Sequence, residues 1–254
     1  MQPTVVTGGT GNLGSFVVRE LRDAGREARV LSRRPGQDHV VGDLTTGAGI
    51  DDAVRGAGAI VHCATDTRSP RNDVTGTRTL IEAAHRHGAP HLVFISIVGV
   101  DRVPLGYYRA KREAEQLVTE SGLPWTILRA TQFHDLALTL TRLLARMPVL
   151  VVPAGTSMQP VDAGEVAARL VRLALDAPVG WAPELGGPEV VPFADLARTY
   201  LRVTGRRRPV LPVRLPGAVA RGYRDGGHLT PAHADGRRTF EDFLAARVRV
   251  GHAP

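Results

Sequence analysis

The stretch Thr7-Gly8-Gly9-Thr10-Gly11-Asn12-Leu13-Gly14 follows a β-branched run, Thr4-Val5-Val6, and opens an amphipathic segment over residues 13–24. Gly8, Gly11 and Gly14 stand three apart and give the spacing GxxGxxG. Each glycine meets a physical need where a strand turns into a helix around a pyrophosphate. One permits the tight turn, one lets backbone approach the phosphates, and one lets the helix pack on the strand. The helix N-terminus then offers free N–H groups to the anion. Glycine spacing alone is weak evidence, but a strand before it and a helix after it are the context that a dinucleotide loop requires. Gly8, Thr10, Gly11, Asn12, Leu13 and Gly14 are therefore expected to contact a dinucleotide.

The next strand ends in Leu31-Ser32-Arg33-Arg34. A fold that prefers NAD places an acid here for the ribose 2′-hydroxyl, whereas arginine accommodates a 2′-phosphate. With two arginines and no acid, Arg33 and Arg34 point to NADP(H). Asp43 and Leu44, in Val41-Gly42-Asp43-Leu44, follow a third strand. There Asp43 either bonds the adenine amine or caps a turn.

Further along, strand-like runs at residues 4–7, 28–32, 39–41, 59–63, 91–96 and 125–129 alternate with helical stretches at 13–24, 50–54, 75–87 and 108–121. Gly25, Gly88 and Gly122 mark helix ends. This alternation predicts an α/β fold of the Rossmann type, a doubly wound parallel sheet built from right-handed βαβ units. Past residue 150 the rhythm loosens. Helices are expected at 163–176 and 193–204, a short basic strand within 206–216, and a last helix opened by a capping box at Thr239-Phe240-Glu241-Asp242. The organisation expected is a cofactor-binding core over 1–150, with the remaining elements and a small C-terminal cap over 151–254, integrated into one domain.

Composition limits the function. The 254 residues are 43% hydrophobic and 22% charged, which excludes a disordered chain. One cysteine, Cys63, excludes an internal disulfide and a zinc spacing, and no metal site is expected. A reducing, cytoplasmic compartment fits, and no secretory signal is read at the start. The longest apolar stretch, 136–153, is broken by Arg142, Arg146 and Pro148, so no membrane span and no membrane partner are expected. The net charge of +7 arises wholly within residues 201–254, where 11 arginines face four acids. That excess reads as a solvated surface, and nucleic acid is not the expected partner because no RNA- or DNA-binding signature accompanies it. Of 32 basic residues 31 are arginine; the one lysine is Lys111. A compact ammonium suits places that a planar guanidinium does not.

Together with TGGTGNLG, the arginine pair and Gly42-Asp43-Leu44, three further motifs carry a resemblance. They are FISIVGVD at 94–101, YYRAK at 107–111 and LPWTILRATQF at 123–133. The chain resembles the atypical short-chain dehydrogenases/reductases, in particular the NmrA-like NAD(P)-binding group. The likeness implies about seven parallel strands, with a substrate pocket formed above the nicotinamide by the C-terminal segment. It implies that Cys63, Ala64 and Thr65 after the fourth strand line the cofactor, and that Ala130, Thr131 and Phe133 approach the nicotinamide. Gln132, Phe133 and His134 are then expected to reach substrate.

Tyr107 and Lys111 stand four apart, so on a helix they share one face. The resemblance assigns Tyr107 as proton donor, Lys111 as stabiliser of the phenolate and contact to the cofactor ribose, and Ser96 as the group that orients a carbonyl. A free phenol titrates near ~10, and a neighbouring cation would bring it toward use at neutral pH. Tyr108 is the alternative inward ring, and Asp135 reads as a helix cap. The activity implied is hydride transfer between NADP(H) and a small carbonyl or quinone-like substrate of apolar character. The alternative is a catalytically silent NADP(H)-binding regulator that senses redox state.

Overall fold

The computed structural model describes residues 2–36 and 38–249. In chain order its elements are β1 (Thr4–Thr7), α1 (Asn12–Asp23), β2 (Ala28–Ser32), β3 (His39–Val41), α2 (Ile50–Val54), β4 (Ala59–His62) and α3 (Pro70–Arg86). They continue with β5 (His91–Ile97), α4 (Gly106–Thr119), β6 (Trp125–Ala130), α5 (His134–Leu144), β7 (Leu150–Pro153), β8 (Ser157–Met158) and α6 (Ala163–Leu175). Last come β9 (Gly180–Trp181), β10 (Val191–Pro192), α7 (Phe193–Val203), β11 (Val210–Val213), α8 (Ala218–Arg224) and α9 (Phe240–Arg249).

The contacts divide the chain into two units. The first comprises Met1–Ser96, Leu105–Arg129 and Ala163–Pro183; the second comprises Ile97–Pro104, Ala130–Asp162 and the chain from Glu184 on. The chain passes between them repeatedly, and the division expected at residue 150 falls inside the second unit.

The first unit carries the expected parallel sheet, seven strands in the order β3-β2-β1-β4-β5-β6-β9. Its central strands β1 and β4 are buried throughout, because helices cover both faces. Val5, Ile60, Leu92, Phe94 and Ile127 fill the core beneath α2, α3 and α4. Strand order reverses between β1 and β4, which are paired Thr7 to His62 at their C-terminal ends. A crevice at such a reversal is where open α/β sheets bind ligands.

In the second unit α5, α7 and α9 pack around Tyr200, Leu196, Phe240 and Leu244. A two-stranded parallel ribbon, β7 with β11, pairs Leu150 to Val210. The capping box forms as read: Thr239 Oγ1 donates to Asp242 Oδ2 at 2.7 Å, and the Asp242 amide donates back to Thr239 Oγ1 at 3.1 Å. Among the described residues no helix is long and apolar enough to cross a membrane.

One boundary differs with consequence. The helix expected over 75–87 begins at Pro70. Its first turn, Pro70-Arg71-Asn72-Asp73, is polar and shows no hydrophobic period, yet proline at the first helical position and an acid in the first turn are start signals.

Candidate active site

The phosphate loop closes on itself as its glycines require. Gly8 has a left-handed φ of +65°, and a Cβ there would lie 2.8 Å from the Ala64 backbone after β4. A Cβ on Gly14 would lie 2.1 Å from the Gly8 carbonyl oxygen. The Gly11 amide donates to that same carbonyl at 2.9 Å. Thr10, Gly11 and Asn12 form the exposed rim, Leu13 is buried beneath it, and no side chain caps α1.

Below the loop runs a buried strut whose proton directions are determined. Thr7 Oγ1 accepts the Ala64 N–H at 3.2 Å and meets His62 Nδ1 at 2.6 Å. His62 Nε2 meets Thr77 Oγ1 at 3.1 Å, and Thr77 spends its own proton on the Asp73 carbonyl at 2.7 Å. The consistent assignment is a neutral ring with Nε2 protonated, Nδ1 accepting from Thr7. Burial, helped by the Lys111 charge, pushes the His62 pKa down to about 3, so the ring stays neutral. The sequence did not show this ring bracing β1, β4 and α3.

Arg33 and Arg34 are exposed after β2, and neither forms an ion pair among the described residues. Asp43 turns out to cap a turn: its Oδ1 accepts the Thr45 amide at 2.8 Å and the Thr45 hydroxyl at 2.7 Å. These hydrogen bonds hold its carboxyl below the ordinary carboxylate value. Leu44 packs where a Cβ on Gly76 would sit, 3.0 Å away. A glycine cradle, a helix start without a side-chain cap and two exposed guanidiniums fit a phosphate-rich dinucleotide with a 2′-phosphate.

Tyr107 and Lys111 do share α4, but the lysine reaches a partner that the sequence reading missed. Lys111 Nζ lies 3.4 Å from Asp73 Oδ2, both side chains being under 5% exposed. It also lies 4.9 Å from the centre of the Phe94 ring. Asp73 Oδ2 accepts the Thr65 hydroxyl at 2.7 Å, and Oδ1 accepts the Asp66 amide at 2.5 Å. Because the Thr65 proton is spent on a carboxylate, the 2.7 Å contact between Thr65 Oγ1 and Tyr107 has the phenol as donor. Burial of the Lys111 ammonium lowers its pKa, against the opposing pull of Asp73.

The Tyr107 phenol does not show the expected lowering. Burial, reinforced by the Asp73 charge, pushes it up to about 12. Tyr108 is the buried ring of the two. Cys63 stays a neutral thiol, pushed up to about 12 by burial. Ser96, at the end of β5, has a buried hydroxyl with no hydrogen-bond partner among the described residues. A buried unpartnered hydroxyl is uncommon and leaves a donor and acceptor ready for a ligand.

Ala130, the last residue of β6, and the residues after it lie in the second unit and behave differently from one another. Ala130 accepts the Val98 amide at 3.0 Å. Thr131 donates to the Gln159 carbonyl at 2.5 Å, and Gln132 donates to the His228 carbonyl at 3.1 Å. Both side chains are thus committed inside the unit, against the expectation that Gln132 reaches substrate. His134 is a correction of the same kind. Its ring is fully buried against Phe240 and Phe243, with centres 6.0 and 5.0 Å away, and Nε2 donates to the Arg238 carbonyl. Apolar rings and a backbone acceptor make it a core histidine. Phe133 remains half-buried, and Asp135 pairs with Arg247 in the first turn of α5. The C-terminal arginines are partly absorbed likewise: Arg202 pairs with Glu241 and Arg238 with Asp162.

Comparison with known proteins agrees with this geometry. A family model described as NAD(P)H-binding matches residues 8–177. A (4-alkanoyl-5-oxo-2,5-dihydrofuran-3-yl)methyl phosphate reductase of Streptomyces griseus is 31% identical over 214 residues, 80% of this chain and 74% of the relative. Quinone oxidoreductase 2 of Escherichia coli is 23% identical over 220 residues, again 80% and 74%. The structure of an NADPH-dependent quinone oxidoreductase from Escherichia coli with NADPH superposes with a TM-score of 0.82 at 19% identity, over 96% of this chain and 99% of that one. Triphenylmethane reductase of Citrobacter superposes at 0.80 with 16% identity, over 96% and 98%. The chain belongs to the NAD(P)H-binding family.

Proposed function

We propose that the protein uses NADPH to reduce a small, largely apolar carbonyl or quinone-like acceptor, with Tyr107 as proton donor. The observation that carries this reading is the line Tyr107, Thr65, Asp73, Lys111, in which every proton has an assigned direction. When bound, the nicotinamide supplies hydride; the residues supply everything else. Gly8, Gly11, Gly14 and the start of α1 would hold the pyrophosphate, Arg33 and Arg34 the 2′-phosphate, and Lys111 the nicotinamide ribose. The unpartnered Ser96 hydroxyl would donate to the acceptor oxygen. A phenol held near 12 stays protonated throughout the working pH range, so it is always loaded. To act, its O–H turns from Thr65 to the acceptor oxygen and gives up its proton. The exposed Thr65 then connects the phenolate to solvent for reprotonation.

A second reading, the silent NADP(H)-binding sensor, is favoured by one observation: Lys111 is held on Asp73, and the phenol is raised where activation would lower it. NADPH consumption by the purified protein against a panel of quinones and aldehydes separates them. The reductase reading requires turnover of at least one acceptor. Tight NADPH binding with no turnover across the panel supports the sensor.

A further inference from the structure

Asp73 is buried in the first turn of α3 and receives three donors: the Asp66 amide and the Thr65 hydroxyl as hydrogen bonds, and the Lys111 ammonium at 3.4 Å. An ammonium buried this deeply persists only with a partner. Four ionisable groups face Lys111. Glu115, on the same helix, is taken up by a bidentate pair with Arg129 at 2.7 and 2.8 Å. Cys63 and His62, from β4 and the turn after it, are both neutral. Among the described residues Asp73 is the carboxylate in direct contact with the ammonium, Glu115 acting on it only at longer range. Through Thr65 the same carboxylate also fixes which way the Tyr107 proton points.

We infer that Asp73 is a positioning residue of this site: its carboxylate holds Lys111 charged and in place for the cofactor, and through Thr65 it orients the Tyr107 phenol. This rests on the reading that Lys111 contacts NADPH, but it does not require that any acceptor be reduced. Removing the charge while keeping the shape leaves the ammonium buried without a counter-ion. The proton then leaves Lys111 at lower pH than in the wild type, because burial still disfavours the charge and the opposing pull of Asp73 is gone.

The test is NADPH affinity, measured by fluorescence titration between pH 6 and 10, on wild type, Asp73→Asn, Asp73→Glu and the double variant Asp73→Asn/Lys111→Met. Thermal melts alongside confirm folding. Asp73→Asn is expected to bind roughly 3- to 100-fold more weakly near neutral pH, the range of coupling between contacting groups. Its affinity should fall further as pH rises, at lower pH than for wild type. Asp73→Glu, which restores the charge, should recover the wild-type shape of the profile. The double variant should bind with no dependence on pH from this pair. A folded Asp73→Asn whose profile runs parallel to wild type overturns the inference. So does a double variant that keeps the pH dependence of Asp73→Asn. If Asp73→Asn does not fold, the neutral double variant and Asp73→Glu still decide. If NADPH binds and the profiles shift as stated while no acceptor is turned over, the inference holds and the reductase reading fails.

Discussion

Substituting Gly14 by alanine should break the cofactor site without unfolding the protein. A Cβ at Gly14 would lie 2.1 Å from the Gly8 carbonyl oxygen, 2.7 Å from its carbonyl carbon and 2.8 Å from Gly9 Cα, where ordinary contact begins at 3.4 Å. The obstructing atoms are all backbone, so no side chain can swing aside. The loop and helix must part by more than an ångström, and overpacking of this kind costs about 1–3 kcal/mol. The loop is exposed at Thr10–Asn12 and relaxes outward, away from the geometry that receives a pyrophosphate. The same energy then appears as lost affinity, roughly 5- to 150-fold for NADPH. Gly25→Ala is the control: its φ of +68° strains an alanine by about 1–2 kcal/mol, but nothing lies within 4 Å of the added Cβ. It should lower Tm by a few degrees and leave NADPH affinity alone. Fluorescence titration and thermal melts of both variants give the answer. Equal NADPH affinity in Gly14→Ala and wild type would refute the argument that this loop holds the phosphates.

Three further outcomes follow from the same geometry. Arg33→Ala/Arg34→Ala should weaken NADPH by about 10- to 100-fold and leave NADH nearly unchanged, since only the 2′-phosphate loses its charge-assisted bonds; an equal loss for both nucleotides would place these arginines elsewhere. His62 has a folded pKa of about 3 against 6.5 when free, so the unfolded chain binds the extra proton. Stability from this group is therefore flat above pH 6.5 and falls as pH drops toward 3, by about 2 kcal/mol at pH 5. His91, His134 and His228 act in the same direction, so urea melts at pH 8 and 5 should show a smaller loss in His62→Gln than in wild type. Glu115→Ala strips a carboxylate from Arg129, both side chains being at most 15% exposed. It should cost about 3 kcal/mol, on the order of 10 °C in Tm; a shift under 2 °C would contradict that.

Most of the first unit was legible because its signals are local. Glycines with positive φ at Gly25, Gly88 and Gly122 end helices where expected, and β-branched runs read as buried parallel strands. The second unit was harder to read for a physical reason. β8 and β10 are two residues each, and β7 pairs with β11 across a gap in sequence that leaves no periodic trace. At the site, the glycine loop at the start of α1 and the shared helix of Tyr107 and Lys111 were readable from spacing. Asp73 was not, because a single acid in a polar first turn looks like a helix-start charge; only burial shows that it meets Lys111. Gln132 and His134 were misassigned because position after a strand fixes where the backbone goes, not which way each side chain turns. Thr131 and Gln132 turn to partners brought close by later chain, and His134 turns into a core of phenylalanines.

The central claim is that Tyr107 gives the proton that accompanies hydride transfer. It is tested most directly by Tyr107→Phe, which keeps the ring and removes the hydroxyl bonded to Thr65. Steady-state reduction of an accepted quinone or aldehyde and NADPH affinity are measured on the same preparation. A fall in kcat of about 10²- to 10⁴-fold, with NADPH affinity unchanged, is the predicted result. Turnover within a few-fold of wild type would contradict it and remove Tyr107 from the chemistry.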